Sequence, residues 1–488
     1  MIGDEPNNTT PLQRLCAALC FCQRAALQAK AKSDPKFRFY SLYDKVYRSD
    51  VLNAAWERSR ANAGKPGVDN QTFADIEKYG IENWLGELAE ELKTKRYEPQ
   101  PVRRAYIAKP DGKRRPLGIP TIRDRVVQTA LLIILEPIFE ADLQEEQYAY
   151  RQNRSAGDAV QQVHQLLDDG CREVVDADLS GYFDSIPHEE LMKCVARRVS
   201  DKAVLHLLKL WLVAPAEEIV ERGRVERTTR NKDEHRGTPQ GAPISPLLAN
   251  LYMRRFALGW KELGYQDRFR ARLVNYADDF VILCRWRADK ALATMRGMME
   301  QLKLTVNETK THVCRIADAS FNFLGYTFGR MVSPRTGGAY LGAQPSRKSI
   351  QKVCRKLNKV AKKVPYYARE EALIFQLNQV LRGWTQYFSY GTLSPAYNVV
   401  QRHACSRVRQ WLRRKHQVRG RGYTEYPDQH LFNDLGLLNL TKLRRHARTR
   451  TLESCPRAGC GKSARPVRRA GTGNGAWQAD IAPQTGKP

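Results

Sequence analysis

The stretch "VNYADDFVILC", Val274 to Cys284, sets two adjacent aspartates between two apolar arms that read as a β-hairpin. An ionised carboxylate in an apolar setting is strongly unfavourable unless it is paired or coordinates a metal, so this hairpin calls for a cation or a partner from elsewhere in the chain. A solvated turn is the bland alternative, since Asp is common in turns. A second short apolar strand, "EVVDADL", carries Asp178 near its end. If the two strands are neighbours, Asp178, Asp278 and Asp279 meet at one edge of a sheet. Metal-dependent nucleotidyl transfer needs carboxylates that converge in this way on a pair of Mg2+ ions, because Mg2+ takes octahedral oxygen coordination with few ligands from protein. Adjacent residues on an ideal strand point to opposite faces, so Asp279 is expected to be a weaker or outer ligand unless the turn re-aims it.

Around these strands, helical stretches such as "HEELMKCVARRV" and "MRGMMEQLKL" alternate with extended segments between 170 and 330, which predicts an α+β domain on an antiparallel sheet. From 40 to 100 the pattern is helical with a glycine-rich break, "AGKPGVD". "YIAKPDGKRRPLGIP" then reads as a hairpin with a basic tip and a turn at Asp111-Gly112. Thr121 and Asp124 resemble a capping box that opens a helix over "IRDRVVQTALLIILEPIFEADL", kinked or ended by Pro137. The first three dozen residues read as a polar leader with a helix-like segment, and the main body is expected to start after them. Beyond about 340 the strands are expected to give way to three helices, "SRKSIQKVCRKLNKVAKKV", "REEALIFQLNQVLRGWTQYF" and "PAYNVVQRHACSRVRQWLRRKH".

Charge decides the class of partner. Lys and Arg number 81 against 52 acidic residues, a net +29, and residues 344–488 alone hold 29 basic against 7 acidic side chains. Such a balance suits a partner rich in phosphate. The longest wholly apolar run, "ALLIIL", is far too short to span a bilayer. Eleven scattered cysteines, an odd count, suit reduced thiols in a cytoplasm better than disulfides or a zinc site. "LCAALCFC" at 15–22 follows Asp4 and Glu5 and precedes a basic helical pattern, which argues against a signal peptide. "AGCGKS" at 458–463 lacks the leading glycine of a phosphate loop, having Pro456 in its place. In the basic helices, Trp384, Tyr387, Phe388 and Trp411 interleave with Lys352, Arg355, Lys356, Arg382, Arg409, Arg413 and Arg414. This combination suits RNA binding through phosphate contacts and packed or stacking rings.

"YADD", with "DADLSGYFD" upstream and "RGTPQGAPISPLLANLYM" between them, resembles the palm of a reverse transcriptase. "AYIAKPDGKRRPLGIPTIRDRVVQ", "LEPIFEADLQEEQYAYRQNRSAGDAV", "LKLTVNETKTHV", "FNFLGYTFG" and "LRGWTQYFSYGT" are similar to successive blocks of bacterial group II intron-encoded proteins, which combine reverse transcriptase and RNA-splicing maturase activity. The likeness runs from near Tyr40 to near Leu440. It implies that Asp178, Asp278 and Asp279 bind two Mg2+ ions, and that Phe183 lies beneath the incoming sugar and rejects ribonucleotides by sterics. It further implies that Gln240 contacts the nucleotide or template, with Gly241 permitting close backbone approach. Lys109 and Arg115 would bind the triphosphate, Arg114 being an alternative to Arg115. Lys310 would protonate the leaving pyrophosphate, unless it is merely a solvated lysine.

The expected architecture is therefore a right-hand polymerase: a leader over 1–35, an N-terminal extension and fingers over 36–165, a palm over 166–335, a helical thumb or maturase domain over 336–450 and a basic DNA-binding tail over 451–488, without the family's endonuclease. The expected function is RNA-directed DNA synthesis from dNTPs, coupled to binding, splicing and mobility of an intron RNA, with DNA as primer or target and no membrane partner. A domesticated, non-intron reverse transcriptase and a splicing-only maturase are the alternatives.

Overall fold

The two aspartate-bearing segments are short apolar runs, expected as strands, and the architecture is built on them. The computed structural model describes residues 11–108, 114–220, 224–333 and 336–443. Its strands are β1 (Val102–Ala108), β2 (Arg114–Ile119), β3 (Glu173–Asp178), β4 (Ala216–Ile219), β5 (Val225–Thr228), β6 (Ala271–Tyr276), β7 (Asp279–Cys284), β8 (His312–Arg315), β9 (Phe321–Phe323), β10 (Tyr326–Val332) and β11 (Ala339–Pro345). They form three sheets, ordered β6-β7-β3-β8, β2-β1-β4-β5 and β11-β10-β9.

The first sheet is wholly antiparallel, as expected, and it is central. Val175, Ala177, Phe280 and Ile282 point into a large core shared with helices Ile122–Glu140, Ser245–Glu262 and Ala288–Gln301. Val174, Val274, Val281 and Leu283 point the other way, into a core with helix Ala156–Asp168 and the β9–β11 sheet. The three basic helices form where the repeats predict them, at Arg347–Lys363, Glu370–Tyr387 and Ser394–Lys415, around a third core that includes Leu357, Leu377 and Val400.

Several expectations change. Helix Pro11–Ser33 is no detached leader: Leu27 and Ala31 are buried in the large core, and the fully buried Arg198 donates to the Ala31 and Asp34 carbonyls at 2.7 and 2.9 Å. Helix Ile122–Glu140 does not end at Pro137, while the expected cap holds, Thr121 Oγ1 accepting from the Asp124 N–H at its start. Strands persist to Pro345, so the break expected at 335 falls inside the β9–β11 sheet. Contacts divide the chain into Met1–Leu440 and Thr441–Pro488, ahead of the boundary expected at 450. The turn at Asp111-Gly112, the "AGCGKS" segment and Cys455 and Cys460 lie outside the described residues. Cys22, Cys171, Cys194, Cys284, Cys314, Cys354 and Cys405 are free thiols.

Candidate active site

Strand register assembles the site. Tyr276, Asp279 and Asp178 stand opposite one another across β6, β7 and β3, and the next same-face row is Val274, Val281, Asp176 and His312. Residues directly opposite share a face, so Asp178 and Asp279 project together with Asp176 beside them. The register thus meets the condition attached to Asp279, which shares the face of Asp178. Asp279 is the first residue of β7, whereas Asp278 lies in the two-residue turn, so the turn decides the aim of Asp278. Ala277 holds that turn at φ +58°, a left-handed conformation that favours glycine, and the Asn275 side chain donates to the Ala277 carbonyl at 2.8 Å.

The carboxylates crowd one another. The Asp279 side chain still reaches solvent at the cleft floor, but the surrounding protein desolvates it, and Asp278, Asp178 and Asp176 add to its field; together they push its carboxyl up to about 6. Burial, opposed by His312 and reinforced by Asp178, likewise pushes Asp176 up to about 6. Lys310 supplies positive charge, its Nζ 2.9 Å from Asp178 Oδ2, an oxygen that also accepts from Asn307 Nδ2 at 2.8 Å. Among the described residues no three His, Cys, Asp or Glu side chains are gathered closely enough to hold a metal ion. The carboxylates are nevertheless hard oxygen donors of the kind Mg2+ takes, and a divalent cation would relieve the mutual repulsion that perturbs Asp279.

Three remote segments meet beside this row. The Gln240 carbonyl accepts from the Gly118 N–H at 2.7 Å, and Gln240 Nε2 donates to Asp184 Oδ2 at 3.0 Å. The Phe183 carbonyl accepts from the Thr238 N–H at 2.7 Å, while its ring is half-buried against the large core. Gly241, at φ +112°, lies so near β2 that a Cβ would stand 2.8 Å from the Gly118 carbonyl oxygen. Its close approach is thus to β2. Arg115 is exposed on β2, and its charge is felt by Tyr150 and by Asp184; Tyr150 in turn is raised by burial and then by Asp278. Lys109 lies outside the described residues.

Sequence reasoning missed Asn307, Asp176 and Asp184, each adjacent to a residue it did select. It also missed Tyr387's position: this exposed residue donates to the Leu324 carbonyl at 3.0 Å and is raised by burial and by the neighbouring Tyr276 and Asp279, which brings helix Glu370–Tyr387 to the aspartate row. Among the candidate RNA contacts, Lys352, Arg355, Lys356, Arg382 and Arg414 are exposed and Arg413 is half-buried. Arg409 is withdrawn from that set: it is buried, donates to the Tyr426 carbonyl at 2.8 Å and pairs with Asp428. Trp411 and Phe388 are core residues, unable to stack on a base from where they sit.

This geometry agrees with comparison to known proteins. Residues 107–328 match the family model for reverse transcriptase (RNA-dependent DNA polymerase), and residues 348–426 match that for the group II intron maturase-specific domain. The class is therefore a reverse transcriptase joined to a maturase-specific domain. The chain is 35% identical to Protein YkfC of Escherichia coli (strain K12) over 61% of its own length and 84% of that protein. It is 34% identical to the group II intron-encoded protein LtrA of Lactococcus lactis subsp. cremoris, over 44% of its length and 34% of LtrA. Nuclear intron maturase 2, mitochondrial, of Arabidopsis thaliana is 33% identical over 22% of this chain and 15% of its own. The chain thus spans most of YkfC and about a third of LtrA. It belongs to the family of group II intron-encoded reverse transcriptases.

Proposed function

We propose that this chain synthesises DNA on an RNA template by a two-metal mechanism, and that it binds a structured intron RNA and assists its splicing and mobility. The observation that carries the polymerase reading is the opposition of Asp178 and Asp279 on one sheet face, with Asp278 at the adjoining turn. When bound, two Mg2+ ions would lower the barrier by activating the primer 3′-hydroxyl and stabilising the leaving pyrophosphate. Asp178, Asp278 and Asp279 would hold them.

The remaining steps belong to the chain itself. Arg115 on β2, together with Lys109, binds triphosphate oxygens through charge-assisted hydrogen bonds. Gly241 keeps the hairpin against Gln240, whose amide faces the nucleotide or template, and Phe183 fills the space a 2′-hydroxyl would need. Lys310 leaves the Asp178 carboxylate and delivers an Nζ proton to a pyrophosphate oxygen. The exposed Lys352, Arg355, Lys356, Arg382 and Arg414 contact RNA phosphates along the helical thumb.

Extension of oligo(dT) on poly(rA) with dTTP is the test. The chain should extend the primer with Mg2+ and stop on chelation. A folded chain that gives no product with Mg2+ present sinks the polymerase reading.

A further inference from the structure

The central sheet has a second functional-looking end. The aspartate row closes one end of its strands; two same-face rows away stand Arg272, Leu283, Val174 and Cys314. Arg285 and Arg270 continue the ladder beyond, the Arg285 N–H donating to the Arg270 carbonyl at 3.2 Å. From Tyr276 to Arg270 is six residues of strand, about 20 Å at the usual rise of roughly 3.4 Å each. At this far end Arg270, Arg272 and Arg285 line a concavity of about 560 Å³ with Asp169 and Asp267.

The local charge is one-sided. Segments 169–172, 266–272 and 285–287 hold six arginines against two aspartates, and none of those arginines is in an ion pair among the described residues. Trp286, directly after Arg285, exposes 46% of its surface. Solvated arginines alone are commonplace. Here three of them line a hollow, and a half-exposed aromatic ring follows one of them in the chain.

We propose that this end of the sheet is a second RNA-docking surface, where Arg270, Arg272 and Arg285 take phosphodiester groups and Trp286 offers a face to an unpaired base. Guanidinium forks match phosphate oxygens in pairs, and a hollow suits a folded backbone better than a flat lipid surface. Its distance from the aspartates means that RNA held here leaves the cleft free for a template. That the polyanion is RNA rests on the function proposed above, which the oligo(dT) assay tests separately.

The test compares the full chain with R270Q/R272Q/R285Q, using a transfer RNA as folded probe, a DNA duplex, phosphatidylglycerol vesicles and oligo(dT)-primed poly(rA). Transfer RNA affinity should fall about tenfold and the log–log salt slope by about two to three, since each lost phosphate contact removes just under one unit. Extension at saturating primer–template should stay within about twofold, and R270K/R272K/R285K should recover most of the slope. Should the triple variant melt early, R272Q alone, exposed on the edge strand β6, should remove about one unit of slope. Unchanged transfer RNA affinity and slope in a folded variant overturns the proposal, as does a loss confined to duplex DNA or vesicles.

Discussion

The Phe183 ring packs against the large core while the Phe183 carbonyl anchors the loop that carries Gln240, so this residue has a packing load as well as the steric role proposed for it. The two can be separated. A fully buried Phe truncated to Ala costs about 3–5 kcal/mol, and a half-buried one should cost less. Phe183→Ala should therefore stay folded with a modestly lowered melting point, and its backbone bond to Thr238 survives the change. Single-nucleotide incorporation should show a raised ratio of rNTP to dNTP use, with Phe183→Val intermediate. Unchanged sugar discrimination in a folded Phe183→Ala variant would mean that the ring is a core residue only.

At the scale of elements, strands β3, β6 and β7 were legible because each face meets a core and the apolar spacing records it. The basic helices were legible for the same reason: Val353 and Leu357 are buried while Lys352, Arg355 and Lys356 stay exposed. Strands β4 and β5 were not. They are four residues each, β5 is exposed throughout, and its pairing is set by β4 rather than by its own pattern. The aim of Asp279 was left open by the sequence because strand alternation cannot be applied through a turn, here one whose first residue, Ala277, takes a positive φ. The roles of Arg409 and Trp411 were hidden because their burial depends on distant segments, Tyr423–Asp428 for Arg409 and Val364–Tyr366 for Trp411, which local sequence does not record. The N-terminal helix was misread for a related reason: its partners, Glu136 and Arg198, lie more than a hundred residues away. Deleting residues 1–35 removes both carbonyl acceptors of buried Arg198 along with Leu27 and Ala31, and each lost bond to a charged donor is worth about 1.5–3 kcal/mol. The denaturation midpoint should drop by an amount equivalent to several kcal/mol; an unchanged midpoint would restore the reading of this segment as a detached leader.

Over the whole molecule, charge and chemistry are segregated. The carboxylates gather at one end of the central sheet, while +22 of the net +29 lies in residues 344–488. Nucleic acid affinity should then be carried mainly by surfaces that do no chemistry, and the aspartate row by itself should contribute little to it. The most direct measurement is primer extension on a primed RNA template by Asp278→Ala, run beside a salt titration of its RNA affinity. Extension should be abolished while affinity and its salt slope match the unaltered chain, because the proposed phosphate contacts lie away from the aspartate row. Retained extension with Mg2+ would contradict the assignment of the catalytic carboxylates.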